Sequence, residues 1–461
     1  MTTRPDATDR QANRHPPKYA RIADEIADRI ATEEWPEGHR LPSHKTLAEM
    51  FGVTIATISH AISEAKQRGL VSARPGSGTY VLASGQPAGE GSPSTIEPVD
   101  LRLNTVTMLP AIHHLLAQAN ASLLSGNQAS ESLFGFEPLQ GSSASRNALA
   151  RWLLLRNMEI DGEDILLTHG AQHGIAAALS VMAKPGDTVL CENWVYAGFR
   201  RLAADARVEL VGVEMDEEGL LPDALERALS TTPARLLFCS AAAQNPTLAT
   251  MPLARRREIL AVCRKHDALV IEDDVYPLLV GDRTEPLAAL DPERVFYVGG
   301  FSKCISAGFR LGFIKAPQRF RAAIQDATAV FHWTGPAFFG KLFTALEASG
   351  AMTGIGQAHQ AQMRQRVLLA AEYLATSPTA NASYHLWHPV PARWRLDDFV
   401  DSLAERGVRV SPASHFSADT RTRGQFIRIC LGGVEEDELR TALKRTADLL
   451  KEPAGPSGAF V

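Results

Sequence analysis

The segment "GGFSKCISAGFRLGF" at 299–313 places a lysine and an arginine seven residues apart, directly after a short apolar run. An amine such as that of Lys303 attacks carbonyl carbon when burial and nearby cations lower its pKa. A guanidinium such as that of Arg310 binds phosphate through parallel hydrogen bonds. Three interpretations of Lys303 are open on these residues alone: a catalytic nucleophile, a cofactor anchor, and a solvated lysine that follows a strand.

Polar and aromatic side chains follow several other apolar runs of the sequence. "LLTHGAQHGIAAAL" predicts a strand, a glycine-containing turn and a helix whose first free N–H groups face an anion. Each such feature is by itself more often structural, as a cap, a salt bridge or a packed ring. Only the set indicates a site, and its members are Gly170, Ala171, Gln172, Tyr196, Asn245, Asp273, Tyr276, Ser302, Lys303, Arg310 and Arg428.

The elements that position these residues alternate between short apolar runs and helical stretches. The runs include "DTVLCE", "RLLFCSAA", "LVIEDD" and "RVFYVGGF", and "PLARRREILAVCRKH" is one of the predicted helices. Such alternation predicts an α/β domain whose mostly parallel sheet is covered on both faces. Ligands then bind at the carboxyl ends of the strands, which is where the polar residues lie.

The first eighty residues have a different pattern. Ile22, Ile26 and Ile30 lie on one face of a predicted helix. Two further helices follow in "HKTLAEMFG", capped by Ser43, and "VTIATISHAISEAKQRG", capped by Thr54. "LVSARPGSGTYVL" then predicts a β-hairpin with a glycine tip. Together they predict a small α+β winged helix-turn-helix.

The segment 82–98 is rich in Gly, Ser and Pro, and it predicts a flexible linker. It separates the small module at 16–81 from the large module at 99–451. The ends of the chain, 1–15 and 452–461, are predicted to be loose tails.

Bulk properties exclude several classes of protein. The five cysteines of the 461-residue chain are scattered, which argues against a disulfide framework and a zinc ribbon and favours the reducing cytoplasm. No metal site is predicted. No signal sequence or apolar run of about eighteen residues is present, so no membrane association is expected. The net charge of -5 requires any contact with DNA to use a local basic patch.

The small module resembles the winged helix-turn-helix of the GntR family, through "LPSHKTLAEMFGV" followed by "GLVSARPGSGTYV". The resemblance implies contact with double-stranded DNA by Arg40, Ser43, Lys45, Thr54, Thr57, Ser59, His60, Arg74 and Gly76. Many members have arginine where this chain has Ile55, and glutamate followed by arginine where it has His44 and Lys45. The base preference of the family is therefore not carried over.

The large module resembles the fold-type I aminotransferases that use pyridoxal 5′-phosphate. The resemblance implies that Lys303 holds the cofactor as an internal aldimine and that Asp273 keeps its ring nitrogen protonated. Arg428 would bind a substrate carboxylate. The other implied contacts are hydrogen bonds to the phenolic oxygen from Asn245 and Tyr276, stacking by Tyr196, and a phosphate site at Gly170, Ala171, Gln172, Ser302 and Arg310.

Four positions depart from the aminotransferase pattern. Gly300 replaces a serine and Phe136 replaces a tyrosine, both of which usually reach the phosphate. Ala307 replaces a proline, and Leu248 replaces the glycine after "NPT". Each missing hydroxyl would weaken cofactor binding by roughly 1 kcal/mol.

The two modules together resemble the MocR subfamily of GntR regulators. The resemblance implies a head-to-tail homodimer and a transcription regulator whose large module senses an amine, an amino acid or the cofactor itself. Two alternatives stay open: an active aminotransferase with an appended DNA-binding domain, and a regulator whose pocket no longer holds the cofactor. The winged module favours the regulator, while Gly300 and Phe136 are the only residues that favour loss of the cofactor.

Overall fold

A computed structural model describes residues 18–32, 34–36, 38–67, 70–74, 78–81, 98–125, 133, 135–276, 283–330, 332–376 and 383–453. The chain divides into two compact units, Met1–Ile96 and Glu97–Val461. The predicted tail 1–15, the linker up to residue 97, the tail from residue 454 and Gly76 lie outside the described residues, as do the side chains of His60 and Arg74.

The N-terminal unit contains a helix-turn-helix and a two-stranded antiparallel wing, as the sequence predicts. Its elements are α1 Lys18–Ala31, α2 His44–Phe51, α3 Ile55–Gln67, β1 Val71–Arg74 and β2 Gly78–Val81. Ser43 caps α2 by accepting a hydrogen bond from the N–H of Thr46, and Gly52 ends α2 in the left-handed conformation. Ile26, Leu47 and Ile58 are buried in an apolar core that this unit forms by itself.

The second unit is built on a seven-stranded sheet with the order β4-β12-β11-β10-β9-β5-β6. Every pairing in it is parallel except those of β12, which runs antiparallel to both neighbours. The mostly parallel sheet predicted from the sequence is therefore confirmed. The strands are β4 Ile165–Thr168, β5 Thr188–Glu192, β6 Glu209–Val213, β9 Leu236–Cys239, β10 Leu269–Asp273, β11 Val295–Gly300 and β12 Gly312–Lys315.

Alternate residues of the central strands enter two separate apolar clusters. Val270 and Tyr297 belong to one cluster, whereas Ile271 and Val298 belong to the other. Because successive side chains of a strand point to opposite faces, both faces of this sheet are buried. The burial explains why the strands appear in the sequence as continuous apolar runs.

Shorter strands and the remaining helices complete the second unit. The strands are β3 Val99–Asp100, which pairs with β14 Val408–Arg409, β7 Met215–Asp216 with β8 Gly219–Leu220, and a sheet of β13 His385–Pro389, β16 Phe426–Cys430 and β15 Ser411–Pro412. The helices are α4 Pro110–Leu124, α5 Ser143–Leu153, α6 Ala171–Met182, α7 Ala197–Asp205, α8 Pro222–Thr231, α9 Leu253–Lys265, α10 Leu287–Leu290, α11 Arg321–Ala329, α12 Ala337–Ala348, α13 Ala351–Tyr373, α14 Leu396–Glu405 and α15 Glu436–Lys451. Within the described ranges, no helix is long and apolar enough to cross a membrane.

Candidate functional site

A cleft of about 310 Å³ lies where strands of the large sheet end. Its volume is at the lower end of the range that ligand pockets occupy. All the residues predicted for the large module line it except Gly170, which is the N-cap of α6. The lining residues are Arg102, Leu103, Asn104, Ala171, Gln172, Ile175, Tyr196, Asn245, Asp273, Val275, Tyr276, Gly300, Ser302, Lys303, Arg310 and Arg428.

Lys303 follows the end of β11 and extends its amine into this cleft. The pKa of Lys303 is lowered to about 8, chiefly by burial and also by the cations Arg428 and Arg310, against the opposing effects of Cys430 and Asp273. Its Nζ atom donates a hydrogen bond to the carbonyl oxygen of Asn104. The amine is thus closer to its reactive neutral form at physiological pH than an exposed lysine would be.

Asp273 is the last residue of β10 and is buried at the floor of the cleft. The pKa of its carboxyl is raised to about 7, chiefly by burial and also by Asp274, against a partial decrease from Lys303. Its Oδ1 atom is buried and has no hydrogen-bond partner among the described residues. A buried acceptor without a donor suits a ligand that brings an N–H group.

Asp274, the next residue, has a structural role. Its Oδ2 atom accepts hydrogen bonds from Nε and Nη2 of Arg156, each at 3.1 Å, and from the hydroxyl of Tyr297 at 2.6 Å. All three side chains are almost completely buried, so the charge of Asp274 is compensated within the core. Of the two adjacent carboxylates, only Asp273 faces the cleft.

The N-terminus of α6 and Arg310 form an anion cradle. Gly170 has φ 88°, and a Cβ atom at this position would lie 2.7 Å from Nη2 of Arg310. Nη1 of Arg310 donates to the Ser302 hydroxyl at 2.8 Å. The N–H groups at the helix start, the guanidinium and the hydroxyl are the donors that a phosphate needs.

Arg428 lies on β16, and its guanidinium contacts Asn245 and Arg102. Its Nη1 atom donates to Oδ1 of Asn245 at 3.0 Å, and its Nη2 atom donates to the carbonyl oxygen of Arg102 at 2.8 Å. The guanidinium lies 4.7 Å from the ring centroid of Phe416. Because Oδ1 of Asn245 faces Arg428, the NH₂ group is the end of this amide that a ligand can use.

Arg102, Leu103, Asn104, Ile175 and Val275 line the cleft although sequence reasoning missed them. Asn104 matters most, because its Nδ2 atom donates to the hydroxyl of Tyr276 at 2.8 Å. Arg102–Asn104 lies outside any helix or strand, so no strand end marked it in the sequence.

The structure bears on the four departures from the aminotransferase pattern. A Cβ atom at Gly300 would lie 3.2 Å from the N atom of Ala171, so a serine would fit only tightly. Leu248 has φ 67°, the left-handed conformation that the usual glycine adopts without strain. The side chain of Phe136 is 79% exposed, and Ala307 is exposed.

The described DNA-contact candidates lie on the surface of the helix-turn-helix. Arg40, Lys45 and Ser59 are exposed. Thr54 accepts a hydrogen bond from the N–H of Thr57 at 3.3 Å, so it caps α3 as Ser43 caps α2. Contact of these residues with DNA stays a prediction.

Comparison with known proteins matches both units. Residues 98–445 match the family of class I and II aminotransferases, and residues 18–81 match the gntR family of bacterial regulatory proteins. The Escherichia coli HTH-type transcriptional regulator YdcR is 30% identical over 66% of this chain and 70% of its own. The pyridoxine biosynthesis regulator PdxR of Corynebacterium glutamicum is 26% identical over 93% of this chain and 94% of its own. An archaeal alanine:glyoxylate aminotransferase has a TM-score of 0.71 at 24% identity, over 77% of this chain and 91% of its own.

The fold and the cleft define a fold-type I aminotransferase-like unit joined to a DNA-binding winged helix-turn-helix. The chain belongs to the GntR family of transcription regulators, in the MocR subfamily that carries such a unit. Aminotransferases of this fold depend on pyridoxal 5′-phosphate, which supports binding of that cofactor here. The residues present fit it, since they offer an amine of lowered pKa, an unpartnered buried carboxylate and an anion cradle.

Proposed function

We propose that the chain is a cytoplasmic, DNA-binding transcription regulator whose large unit binds pyridoxal 5′-phosphate at Lys303 and senses an amine, an amino acid or the cofactor itself. The proposal is carried by one observation: the residues expected to hold such a cofactor line a single cleft in a chain that begins with a winged helix-turn-helix. We also propose module boundaries of 16–81 and 99–451, with 82–98 as the linker.

Each cleft residue has a distinct proposed task. When bound, pyridoxal 5′-phosphate supplies an aldehyde that reacts with primary amines and a ring that withdraws electrons. Lys303 provides the anchoring amine, and Asp273 holds a proton at the ring nitrogen. Arg310 and the start of α6 bind the phosphate, and Arg428 binds the carboxylate of an effector.

The remaining predicted contacts belong to the same proposal. Tyr196 would stack on the ring, while Asn245 and Tyr276 would donate to its phenolic oxygen. The effector shifts DNA binding only if it binds two states of the protein unequally. The name of PdxR, a pyridoxine biosynthesis regulator, makes the cofactor itself a candidate effector.

We further propose a homodimer whose two chains lie head to tail. Phe136, Val330 and Trp333 are 79%, 72% and 89% exposed, and we call them the Phe136–Trp333 patch. Phe136 and Trp333 are the sequence neighbours of Glu137 and Thr334, which are connected by a hydrogen bond of 2.9 Å from Glu137 N to Thr334 Oγ1. Exposed apolar residues that lie together favour an interface with another molecule.

The decisive experiment uses the purified full-length protein. Addition of pyridoxal 5′-phosphate should produce an absorbance band of covalently bound cofactor in wild type and in Lys184→Ala, which removes an exposed lysine outside the cleft. Lys303→Ala should lack the band. Affinity for DNA from the gene's own promoter should change about five-fold or more with cofactor or an active amino acid.

Other outcomes would point elsewhere. A wild type that gains no band would contradict cofactor binding and favour the regulator with an empty pocket. An affinity for DNA that neither the cofactor nor amino acids change would contradict the proposed sensing function. Sustained conversion of an amino acid to its keto acid would favour the aminotransferase with an appended DNA-binding domain.

A further inference from the structure

Residues Arg102–Asn104 cross the cleft between two fixed points, and we call them the cleft strap. On one side, Leu101 O accepts a hydrogen bond from Cys430 N at 2.9 Å, and Leu101 N donates to Arg409 O at 2.8 Å. On the other side, Thr105 O packs so closely against Gly432 that an added Cβ atom would overlap it. The strap is therefore anchored at both ends, while its central residue is 67% exposed.

Two backbone carbonyl groups of the cleft strap accept hydrogen bonds from the two cationic side chains that the proposed ligands require. Asn104 O accepts from Nζ of Lys303, and Arg102 O accepts from Nη2 of Arg428 at 2.8 Å. A ligand that engages Lys303 takes the donor of one strap carbonyl. A carboxylate at Arg428 approaches the same Nη2 atom that donates to the other.

The geometry of the guanidinium makes the second competition direct. A carboxylate that binds arginine through two hydrogen bonds uses Nη2 together with either Nε or Nη1. In Arg428 the Nη2 atom donates to the strap and Nη1 donates to Asn245, while Nε is buried without an acceptor among the described residues. Bidentate binding therefore uses Nη2, one of whose two N–H groups already donates to the strap carbonyl, and it brings a carboxylate oxygen beside that carbonyl, where the two acceptors repel each other.

The side chain of Asn104 latches the cleft strap. Its Nδ2 atom lies 2.8 Å from the hydroxyl of Tyr276 and 3.1 Å from Nδ1 of His385. Burial, Arg428 and Lys303 lower the pKa of His385 well below its usual value, so the ring is neutral. Its Nε2 atom donates to the carbonyl oxygen of Pro246 at 3.2 Å, so Nδ1 accepts from Asn104. Removing the side-chain amide of Asn104 should loosen the strap, although the backbone carbonyl groups of the strap are still present.

We propose that the cleft strap is an intramolecular competitor that couples cofactor binding at Lys303 to carboxylate binding at Arg428. The inference rests on the proposed function. Both ligands displace the same three residues. The free energy of this displacement therefore weakens binding of the first ligand but not of the second. Binding of the two is then positively cooperative, and the coupling is reciprocal.

The coupling also specifies the chemical class of the effector. A simple amine can engage only the Lys303 side of the cleft, whereas an amino acid carries the carboxylate that releases Arg428 from the strap. Of the proposed effectors, the strap thus favours an amino acid over an amine without a carboxylate.

The test compares full-length wild type with Asn104→Ala and with Asn120→Ala, a matched change on α4 outside the cleft. Pyridoxal 5′-phosphate is titrated by absorbance with propionate, a carboxylate without an amine, and with sodium chloride at equal ionic strength. In wild type and Asn120→Ala, propionate should lower the dissociation constant of the cofactor about five-fold or more. Asn104→Ala should bind the cofactor more tightly without propionate and lose most of this effect.

A second measurement covers the case in which Asn104→Ala does not fold. In wild type, backbone amide exchange of the peptide 101–106 should accelerate when cofactor and propionate are both present. Three results would each contradict the proposed role of the strap but not the proposed sensing function. They are cofactor binding that propionate leaves unchanged, full coupling in folded Asn104→Ala, and amide exchange that does not change. A wild type that binds neither ligand would overturn the proposed function as well.

Discussion

The buried carboxyl of Asp273 lowers the stability of the folded chain, yet it is useful to the proposed site. Its carboxyl has a pKa of about 7 in the folded chain, against 3.8 in its ordinary state, chiefly because it is buried. Ionisation is therefore harder in the folded chain than in the unfolded one. The cost is absent at low pH, grows between pH 3.8 and 7, and is fully present above pH 7.

Replacement of Asp273 by asparagine should stabilise the cofactor-free protein. At pH 8 we expect the free energy of unfolding of the large unit to rise by roughly 2 kcal/mol or more, and at pH 4 we expect no gain. Urea titrations followed by tryptophan fluorescence measure the difference. The matched change Asp326→Asn, at an exposed position on α11, should have little effect at either pH. A gain of equal size at both pH values would show that ionisation of Asp273 is not its source.

At the same scale, sequence reasoning found the site residues that follow regular elements. Lys303 and Asp273 come at the ends of apolar runs, where parallel strands expose their last side chains. Asn104 was missed because its segment has neither a period nor a strand end. Its role depends on contacts with Tyr276 and Lys303, which are more than 170 residues away in the chain.

Among the elements, the start of α6 determines whether the cleft can hold a phosphate. Gly170 combines a positive φ with close contact to Arg310, so a methyl group there should displace the guanidinium. Gly186 has a similar φ of 92°, yet a Cβ atom added there meets no described atom within 4 Å. The two glycines share the backbone strain of substitution and differ in the contact with Arg310.

Gly170→Ala and Gly186→Ala should therefore lose similar stability but differ in cofactor binding. We expect the dissociation constant of pyridoxal 5′-phosphate to rise about ten-fold or more in Gly170→Ala alone, the loss of a charge-assisted hydrogen bond. Pyridoxal, which lacks the phosphate, should bind both variants equally. Absorbance titrations measure both ligands, and equal phosphate-ligand affinity in the two variants would contradict the anion cradle.

The sequence predicted the kinds of elements better than their arrangement. The caps of α2 and α3 and the strands of the parallel sheet follow from local patterns. The antiparallel strand β12 between β4 and β11 does not, because a buried apolar run has the same pattern in either direction. Its position depends on the close approach of Gly312 to Gly170, a contact between distant segments.

At the scale of the whole molecule, the proposed homodimer brings two DNA-binding units together. Two linked contacts to DNA can exceed the affinity of one by about 10²–10⁴-fold when both half-sites are engaged. The Phe136–Trp333 patch is the surface that we expect to join two chains. It includes the exposed Phe136, the position at which the resemblance to aminotransferases predicts a tyrosine that reaches the phosphate of the partner subunit.

A charge in this patch should therefore separate the chains without unfolding them. Trp333 is 89% exposed, so Trp333→Asp removes little packing within one chain. Leu368→Asp, at a leucine of α13 that is 55% exposed, is the matched control. We expect sedimentation to give dimers for wild type and Leu368→Asp and monomers for Trp333→Asp. Affinity for DNA with two half-sites should fall at least about ten-fold in Trp333→Asp, while affinity for a single half-site stays unchanged. A dimeric Trp333→Asp would exclude the patch as the interface, because burying an aspartate in an apolar contact carries a large desolvation cost.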